Sequence, residues 1–236
     1  MRGAAILIVA KAPVPGVAKT RLAPRYGLCG AAHLAAAGLL DTLRTARRAT
    51  GVTVVVAQTG DLRAAVRRDE LQAELDGCTV FCQRGESFAE RLVHAHVTTA
   101  ALGMDRVVQI GMDTPQVGVD QLAEALDQLD PAGDRCVLGD AADGGWWAFG
   151  TVFARGSRTL ATIPMSRPDT GVRTRSALRD YGLDVVALDT LSDVDEPGDV
   201  DRVVRMCPAD SEFARTAALL DQETPLAVAS GQRSVR

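Results

Sequence analysis

Near its N-terminus the sequence reads AAILIVA at residues 4–10 and KAPVPGVAKTRL at residues 11–22, and these two segments decide the fold. A continuous apolar run of this length is typical of a parallel strand that is covered on both faces. The next segment combines Lys, Arg, Pro and Gly, and a leucine-rich helical pattern follows from about Gly30 to Gly51. The order strand, loop, helix is the unit from which parallel α/β sheets are built.

The same alternation continues to about Met206 without a Pro/Ser-rich linker. Further strands are predicted at 53–57, 78–82, 106–111, 135–141, 144–150 and 184–188. Helices are predicted at 62–75, 87–102, 120–129, 171–181 and from 197, with Ser87 and Glu90 as a capping box. Because the strands at 135–141 and 144–150 have no helix between them, we expect an antiparallel element in a mostly parallel sheet.

We therefore predict a single-domain α/β protein, with a mixed sheet flanked by helices over residues 1–221 and a flexible tail at 222–236. The net charge of −4 argues against nucleic acid as a partner, because binding to the phosphate backbone relies on surplus Lys and Arg. The apolar run at 4–10 is too short to cross a membrane.

Five cysteines form no CxxC pair, and we expect most of them to be small buried residues in a reducing cytoplasm.

The basic loop contains the first candidate site residues, which are Lys11, Gly16, Lys19 and Arg21. Ligands of open α/β sheets bind at the carboxyl ends of strands, where this loop begins. Three cations match a polyphosphate in charge, and glycine lets the backbone approach a ligand closely. The spacing is not that of a Walker loop. The alternative is a solvated basic loop without a ligand.

Carboxylates follow two of the later strands. Asp113 comes directly after the strand at 106–111 and could hold Mg²⁺ or Mn²⁺ against phosphate oxygens, or only stabilise its own turn. Asp193 and Asp195 precede a helix that starts near Pro197, where capping alone would also explain them. If this segment folds against Asp113, the carboxylates would repel each other unless a cation lay between them.

The segment Asp143-Gly144-Gly145-Trp146-Trp147 is the last candidate. Paired glycines allow a ligand to approach the backbone, and Asp143 could bind a substrate hydroxyl or cap the turn. Two adjacent tryptophans on a strand point to opposite faces, so at least one should lie in the core.

Taken together, KAPVPGVAKTRL, QRGESFAERL, GMDTP, DGGWWAFG and DVDEPGD resemble a bacterial family of GT-A-fold proteins, the selenodomain-associated, glycosyltransferase-like transferases. The resemblance covers about residues 4–205. The chain is more distantly similar to the phospholactate guanylyltransferases, which share AKTRLAP near the start and a DVDTP-like segment near the end. Both resemblances imply the nucleotide-diphospho-sugar transferase (GT-A) fold and a nucleotide as a partner.

The resemblance also implies roles for individual residues. It implies nucleotide phosphates on Lys11, Lys19 and Arg21, and a metal on Asp113 and Asp195, with Asp193 as the fallback for the second ligand. Lys19 and Asp113 would be the catalytic residues. It places Gln83 and Gly85 near the nucleobase, and Asp143, Gly144, Gly145 and Ser166 on the acceptor side. The sequence departs from the family patterns at two places. Glu196 stands where the late motif often has Thr, and the first loop lacks the Gly-x-Gly opening of many sugar nucleotidyltransferases.

These features lead to the hypothesis of a metal-dependent nucleotidyltransferase that moves a nucleoside monophosphate from an NTP to a small phosphorylated or hydroxylated acceptor. Glycosyl transfer from a nucleotide sugar is the alternative, and a nucleotide-binding module without catalysis is a third. Nucleotidyl transfer is placed ahead of glycosyl transfer because three cations suit a triphosphate better than a diphosphate that a metal already neutralises.

Overall fold

The apolar run near the N-terminus forms an interior strand of one seven-stranded sheet. The computed structural model describes residues 3–223. The strands are β1 (Gly3–Lys11), β2 (Val52–Thr59), β3 (Thr79–Cys82), β4 (Met104–Gly111), β5 (Arg135–Ala141), β6 (Trp146–Val152) and β7 (Asp184–Leu191). Their order in the sheet is β3-β2-β1-β4-β6-β5-β7. The helices are α1 (Ala23–Arg48), α2 (Arg68–Leu75), α3 (Phe88–Ala101), α4 (Val119–Asp127), α5 (Thr170–Asp180), α6 (Pro197–Val204) and α7 (Glu212–Glu223).

Strand β1 is covered on both faces, as its composition predicts. Ile6 and Ile8 pack into a core layer with α1, α2 and α4, whereas Ala5 and Leu7 pack into the opposite layer with α3 and α5. β1 pairs in parallel with both β2 and β4. The prediction of an α/β sheet flanked by helices is therefore confirmed.

Strand β6 is the antiparallel element. It runs antiparallel to β4 on one side and to β5 on the other, while β5 and β7 are parallel. Trp146 and Trp147 lie in opposite core layers, as adjacent residues of a strand do, next to a register shift between Gly139 and Asp140. Trp147 is buried and its Nε1 donates to the Asp189 carbonyl at 2.8 Å, so the expectation for the two tryptophans is confirmed.

Two predicted helices have different boundaries in the structure. Helix α1 begins at Ala23 instead of Gly30, but the non-helical backbone of Gly27 (φ 68°, ψ 171°) separates its first turn from the long helix that follows. The helix predicted at 62–75 is broken into a short 3₁₀ turn, Leu62–Ala64, and α2, because Arg67 adopts a left-handed conformation (φ 53°).

Helix α7 is absent from the sequence prediction. It packs against α1 through Phe213 and Ala217, and the Asp41 carboxylate of α1 accepts hydrogen bonds from the backbone N–H groups of Glu212 and Phe213, both at 2.9 Å. A carboxylate at this position satisfies donors that the first helical turn leaves free. The helix continues to Glu223, beyond the predicted boundary at 221, and the rest of the predicted tail (224–236) lies outside the described residues.

The cysteine prediction was wrong in part. All five thiols are free, but only Cys136 is buried, and Cys29 and Cys82 are exposed. Within residues 3–223, no helix combines the length and apolarity needed to cross a membrane.

Candidate functional site

A cavity of about 630 Å³ opens at the carboxyl ends of the central parallel strands. The turn between β5 and the antiparallel β6 contributes to it from the same edge. The predicted site residues that line the cavity are Lys11, Lys19, Arg21, Gln83, Asp113, Asp143, Gly145, Ser166 and Asp195, together with the fallback ligand Asp193. The structure thus brings together side chains that are up to 184 positions apart in the sequence, from Lys11 to Asp195.

The three cations of the basic loop have different environments. Lys19 Nζ lies 2.9 Å from Asp113 Oδ1 and 2.8 Å from Asp195 Oδ1, and its side chain is only 12% exposed. Arg21 is largely exposed, with a guanidinium nitrogen 3.5 Å from Asp195 Oδ2. Lys11 is exposed and its ammonium donates to the Val17 carbonyl at 2.7 Å, which closes the loop on itself. Two cations therefore face the solvent side of the cavity, while the third bridges carboxylates.

Four carboxylates surround the position of Lys19. Oxygen atoms of Asp143, Asp193 and Asp195 lie within 4.8 Å of one another, and Asp113 is joined to Asp195 through the Lys19 ammonium. The backbone supports this arrangement, because the Val194 N–H donates to the Asp113 carbonyl at 3.0 Å. The predicted pair Asp113 and Asp195 does meet around one cation, and that cation is an ammonium group.

Helix capping does not account for Asp195. The carboxylate that accepts from the backbone at the start of α6 belongs to Asp199, with Oδ2 at 3.1 Å from the Asp195 N–H and 2.8 Å from the Glu196 N–H. The side chain of Asp195 is directed instead to Lys19. Its oxygens are thus available for a cation at the cavity.

The acid cluster perturbs the pKa values of its members. Burial and the neighbouring charges of Asp143 and Asp195 raise the pKa of Asp193 to about 6. Burial also opposes ionisation of Asp195, but the Lys19 ammonium outweighs it and holds the pKa of Asp195 below its usual value. Burial disfavours the charged form of Lys19, yet Asp113 and Asp195 raise the pKa of this lysine above its usual value. Negative charge near Asp193 is therefore only partly compensated.

Three predicted glycines do not line the cavity, and two of them are needed for packing. A Cβ at Gly144 would lie 2.0 Å from the Pro168 carbonyl oxygen, and a Cβ at Gly85 would lie 2.7 Å from the Glu90 Cβ. Gly16 lies in the turn of the basic loop, beside Leu28. Gly144 and Gly85 thus position the chain at the cavity edge instead of contacting its interior.

The turn before β6 has a local function in addition to its place at the cavity. Asp143 Oδ1 accepts from the Gly145 N–H at 2.7 Å, which is the turn-stabilising role weighed for it in the sequence. Its carboxylate still belongs to the acid cluster. Ser166 and Lys19 both have left-handed backbones, with φ of 58° and 49°, and strained non-glycine conformations tend to persist where the surroundings fix them.

The sequence did not point to Arg91 or Gln109, which also line the cavity. Gln109 carried the clearest signal, since it interrupts the apolar strand pattern of residues 107–110. Arg91 lies one turn into α3, where the helical pattern of apolar and polar residues does not distinguish a cavity-lining side chain from a solvent-exposed one.

Comparisons with known proteins agree with this geometry. A nearly full-length match is a structure from Desulfovibrio desulfuricans G20, assigned as a nucleotide-diphospho-sugar transferase, with 27% identity and a TM-score of 0.80 over 94% of this chain and 98% of that chain. A nucleotidyl transferase from Methanothermobacter thermautotrophicus has 14% identity and a TM-score of 0.59, with 91% and 99% of the two chains covered. Rv0371C of Mycobacterium tuberculosis, in complex with manganese, has 21% identity and a TM-score of 0.50, with 86% and 97% covered.

The fold is therefore that of the nucleotide-diphospho-sugar transferases, and the resemblance to GT-A-like transferases is confirmed. No curated protein matches the sequence significantly. A family model matches residues 42–167, which include Asp113, Asp143 and Ser166 but neither the basic loop nor Asp195. Since the match spans more than half of the 236 residues, the chain belongs to the family described as uncharacterized proteins conserved in bacteria, DUF2064.

Proposed function

We propose that this protein is a metal-dependent nucleotidyltransferase that transfers a nucleoside monophosphate from an NTP to a small acceptor. One observation carries the proposal: a single cavity at the carboxyl edge of the sheet joins a basic loop to four carboxylates. Cations and carboxylates in one cavity suit a polyphosphate bound together with a divalent metal. The transferase names of the structural neighbours support the reaction class.

The residues present fit Mg²⁺ or Mn²⁺. Asp113 and Asp195 each place an oxygen within 3 Å of the same ammonium group, and Asp143 and Asp193 add oxygens beside Asp195. The raised pKa of Asp193 indicates negative charge that a cation would compensate. When bound, the metal would neutralise charge that develops on the phosphate oxygens. The manganese complex of Rv0371C is consistent with this choice of ion.

The proposed reaction needs little covalent help from the protein. An acceptor oxygen forms a bond to the α-phosphorus, the bond from that phosphorus to the bridging oxygen breaks, and pyrophosphate leaves with the electron pair. Lys11 and Arg21 would bind phosphate oxygens from the solvent side. Lys19 would move its ammonium from the carboxylates to the phosphates as the metal enters. A hydroxyl acceptor would also have to lose a proton, for which Asp143 is the candidate base.

Glycosyl transfer from a nucleotide sugar is a second candidate, and the structure assigned as a nucleotide-diphospho-sugar transferase favours it. Both reactions use the same fold and metal, but they break different bonds. Nucleotidyl transfer releases pyrophosphate, whereas glycosyl transfer releases a nucleoside diphosphate.

The test is incubation of the purified protein and Mg²⁺ or Mn²⁺ with NTPs or nucleotide sugars and pooled phosphorylated and hydroxylated acceptors. Acceptor-dependent pyrophosphate that is lost in Asp195→Asn and retained in the exposed control Asp180→Asn is the expected result. Acceptor-dependent nucleoside diphosphate from a nucleotide sugar would replace the proposal with glycosyl transfer. Nucleotide binding without turnover for any donor and acceptor pair would point to a binding module.

A further inference from the structure

Helix α5 begins at the edge of the cavity. Met165, Ser166 and Thr170, which lie just before the helix and at its first residue, line the cavity. Thr170 Oγ1 donates to the Pro164 carbonyl at 2.9 Å and accepts from the Arg167 N–H at 3.1 Å. Because the first residue of the helix is tied to the loop before it, this loop and the start of α5 form one unit.

This unit packs against the turn between β5 and β6, residues 142–145, which we call the Asp143 turn. The Gly171 N–H of α5 donates to the Gly144 carbonyl at 2.8 Å. No space remains between the two segments, since a Cβ at Gly171 would lie 2.7 Å from the Gly145 carbonyl oxygen. Any shift of the start of α5 would therefore move the Asp143 turn or open a gap beside it.

An ion pair links α5 to the strand that leads into this turn. Arg175 Nη2 lies 2.7 Å and 2.6 Å from the two carboxylate oxygens of Asp140, and the Arg175 side chain is only 19% exposed. Arg175 follows Gly171 by four residues and so lies on the same face of the helix. Asp140 has no partner residue in the pairing of β5 with β7, and the pairing of β5 with β6 shifts register beside it. The ion pair therefore holds the strand where its backbone pairing is irregular.

Other contacts of α5 do not replace this ion pair. Leu178 packs into the core near the end of the helix and holds its C-terminal half. Arg173 pairs with Asp169, the residue that precedes the helix, so this contact stays within the helix and its cap. Among residues 3–223, Arg175 is the only side chain of α5 that forms an ion pair with the sheet.

The carboxylate cluster needs support at the Asp143 turn. Oxygen atoms of Asp143, Asp193 and Asp195 lie within 4.8 Å of one another, and like charges at this distance repel. One side of the turn is held by the Ala142 N–H, which donates to the Leu191 carbonyl at 2.9 Å, and the other side rests on α5. If the support from α5 were lost, repulsion would move the Asp143 carboxylate away from the other two.

We propose that Arg175 is a positioning residue of the candidate metal site: by pairing with Asp140 it holds the start of α5 against the Asp143 turn. The Asp143 carboxylate then stays beside Asp193 and Asp195. Arg175 does not line the cavity, so it acts through the turn and not on a substrate. Such outer contacts raise metal affinity, because they hold the ligand atoms in place before the ion binds. This inference rests on the proposed function for the metal, whereas the effect on the turn does not.

The first test is titration of the whole protein with Mn²⁺ in the absence of nucleotide, with free Mn²⁺ measured by electron paramagnetic resonance. Arg175→Met should weaken Mn²⁺ binding about tenfold to a hundredfold, as is typical when a residue that orients a metal ligand is lost. Arg175→Lys should restore part of the affinity, because an ammonium group can still pair with Asp140. Arg179→Met is the matched control, since it removes an exposed cation from the same helix and should leave Mn²⁺ binding unchanged.

Asp140→Ala tests the same contact from its other end. This variant should also weaken Mn²⁺ binding, and the double variant with Arg175→Met should bind about as weakly as the single variants, because each change removes the same interaction. Full additivity of the two effects would overturn the proposal. Equal Mn²⁺ affinity of wild type and Arg175→Met would overturn it as well.

Amide hydrogen exchange without metal is the second readout. In Arg175→Met, exchange should increase at Gly171 and Gly145, whose N–H groups bond to the Asp143 turn, while the Leu178 amide stays protected. A uniform increase across α5 with unchanged Mn²⁺ affinity would mean a structural role alone and overturn the proposal. If wild type binds no Mn²⁺ and exchange still increases only at the turn, Arg175 keeps its positioning role and the metal dependence of the proposed function is overturned.

Discussion

Replacing Lys19 by methionine tests whether this ammonium occupies the place of a divalent cation. In the absence of metal, the change leaves Asp113 and Asp195 facing each other without the group that lies within 3 Å of both. Removing one partner of a buried ion pair costs about 3–5 kcal/mol. The two carboxylate side chains are 41% and 39% exposed and stay partly hydrated, so we expect a smaller loss of about 1–2 kcal/mol in the free energy of unfolding.

Metal should reverse the order of stability. With no lysine to displace, Mn²⁺ should bind Lys19→Met more tightly than wild type, and binding to the folded state alone stabilises by about 2.7 kcal/mol at one hundred times the dissociation constant. Urea unfolding with EDTA or with MnCl₂, and electron paramagnetic resonance of free Mn²⁺, measure the two effects. Lys11→Met is the matched control, because Lys11 contacts only a carbonyl. An equal response of wild type and Lys19→Met to Mn²⁺ would refute the reasoning.

Three further predictions concern stability. Burial opposes ionisation of Glu212, but hydrogen bonds from three arginines lower its pKa to about 2, so its stabilisation of about 2 kcal/mol is present above pH 4.5 and lost as the pH falls toward 2. Glu212→Gln should therefore reduce the pH dependence of the free energy of unfolding in this window, measured by urea unfolding, and an unchanged dependence would contradict this. Asp41→Ala should lower the free energy of unfolding by about 1–2 kcal/mol, because the Asp41 carboxylate accepts hydrogen bonds at the start of α7. Amide hydrogen exchange should increase first in α7, and a uniform increase across the chain would contradict this. Gly144→Ala should lower the melting temperature strongly, because its Cβ would meet the Pro168 carbonyl, and an unchanged melting temperature would show that the turn can move.

Local signals predicted the parts of the fold that depend on neighbouring residues. The apolar run of β1 requires burial on both faces wherever the strand lies in the sheet. Ser87 and Glu90 form the capping box of α3 within its first turn, so this signal is also local. Helix α7 has a local cap, since Ser211 Oγ accepts from the Ala214 N–H, but its packing against α1 and its hydrogen bonds to Asp41, 171 positions away from Glu212, are not visible in the sequence. The break before α2 depends on the left-handed backbone of Arg67, an arginine that also bonds to the distant Glu212, and sequence periodicity contains no such contact.

The candidate site also has parts that the local sequence predicts and parts that depend on distant contacts. The residues after β1 and β4 could be placed at one edge from the rule for parallel strands, and Lys19 and Asp113 do meet there. The grouping of Asp143 with Asp193 could not be predicted, because it depends on how the chain returns after β7. Arg91 was missed because the sequence alone does not show which face of α3 lines the cavity.

The antiparallel strand β6 explains why Asp143 belongs to the cluster at all. A parallel strand following β5 would begin at the opposite edge of the sheet, and the connection would need a crossover helix. Because β6 runs antiparallel, the short turn that holds Asp143 stays at the carboxyl edge, beside the end of β4. The chain after β7 then runs back along this edge, with the Ala142 N–H donating to the Leu191 carbonyl and the Val194 N–H to that of Asp113. Four carboxylates are thus held by backbone pairing around one small volume, and their repulsion is what makes a cation there, ammonium or metal, favourable.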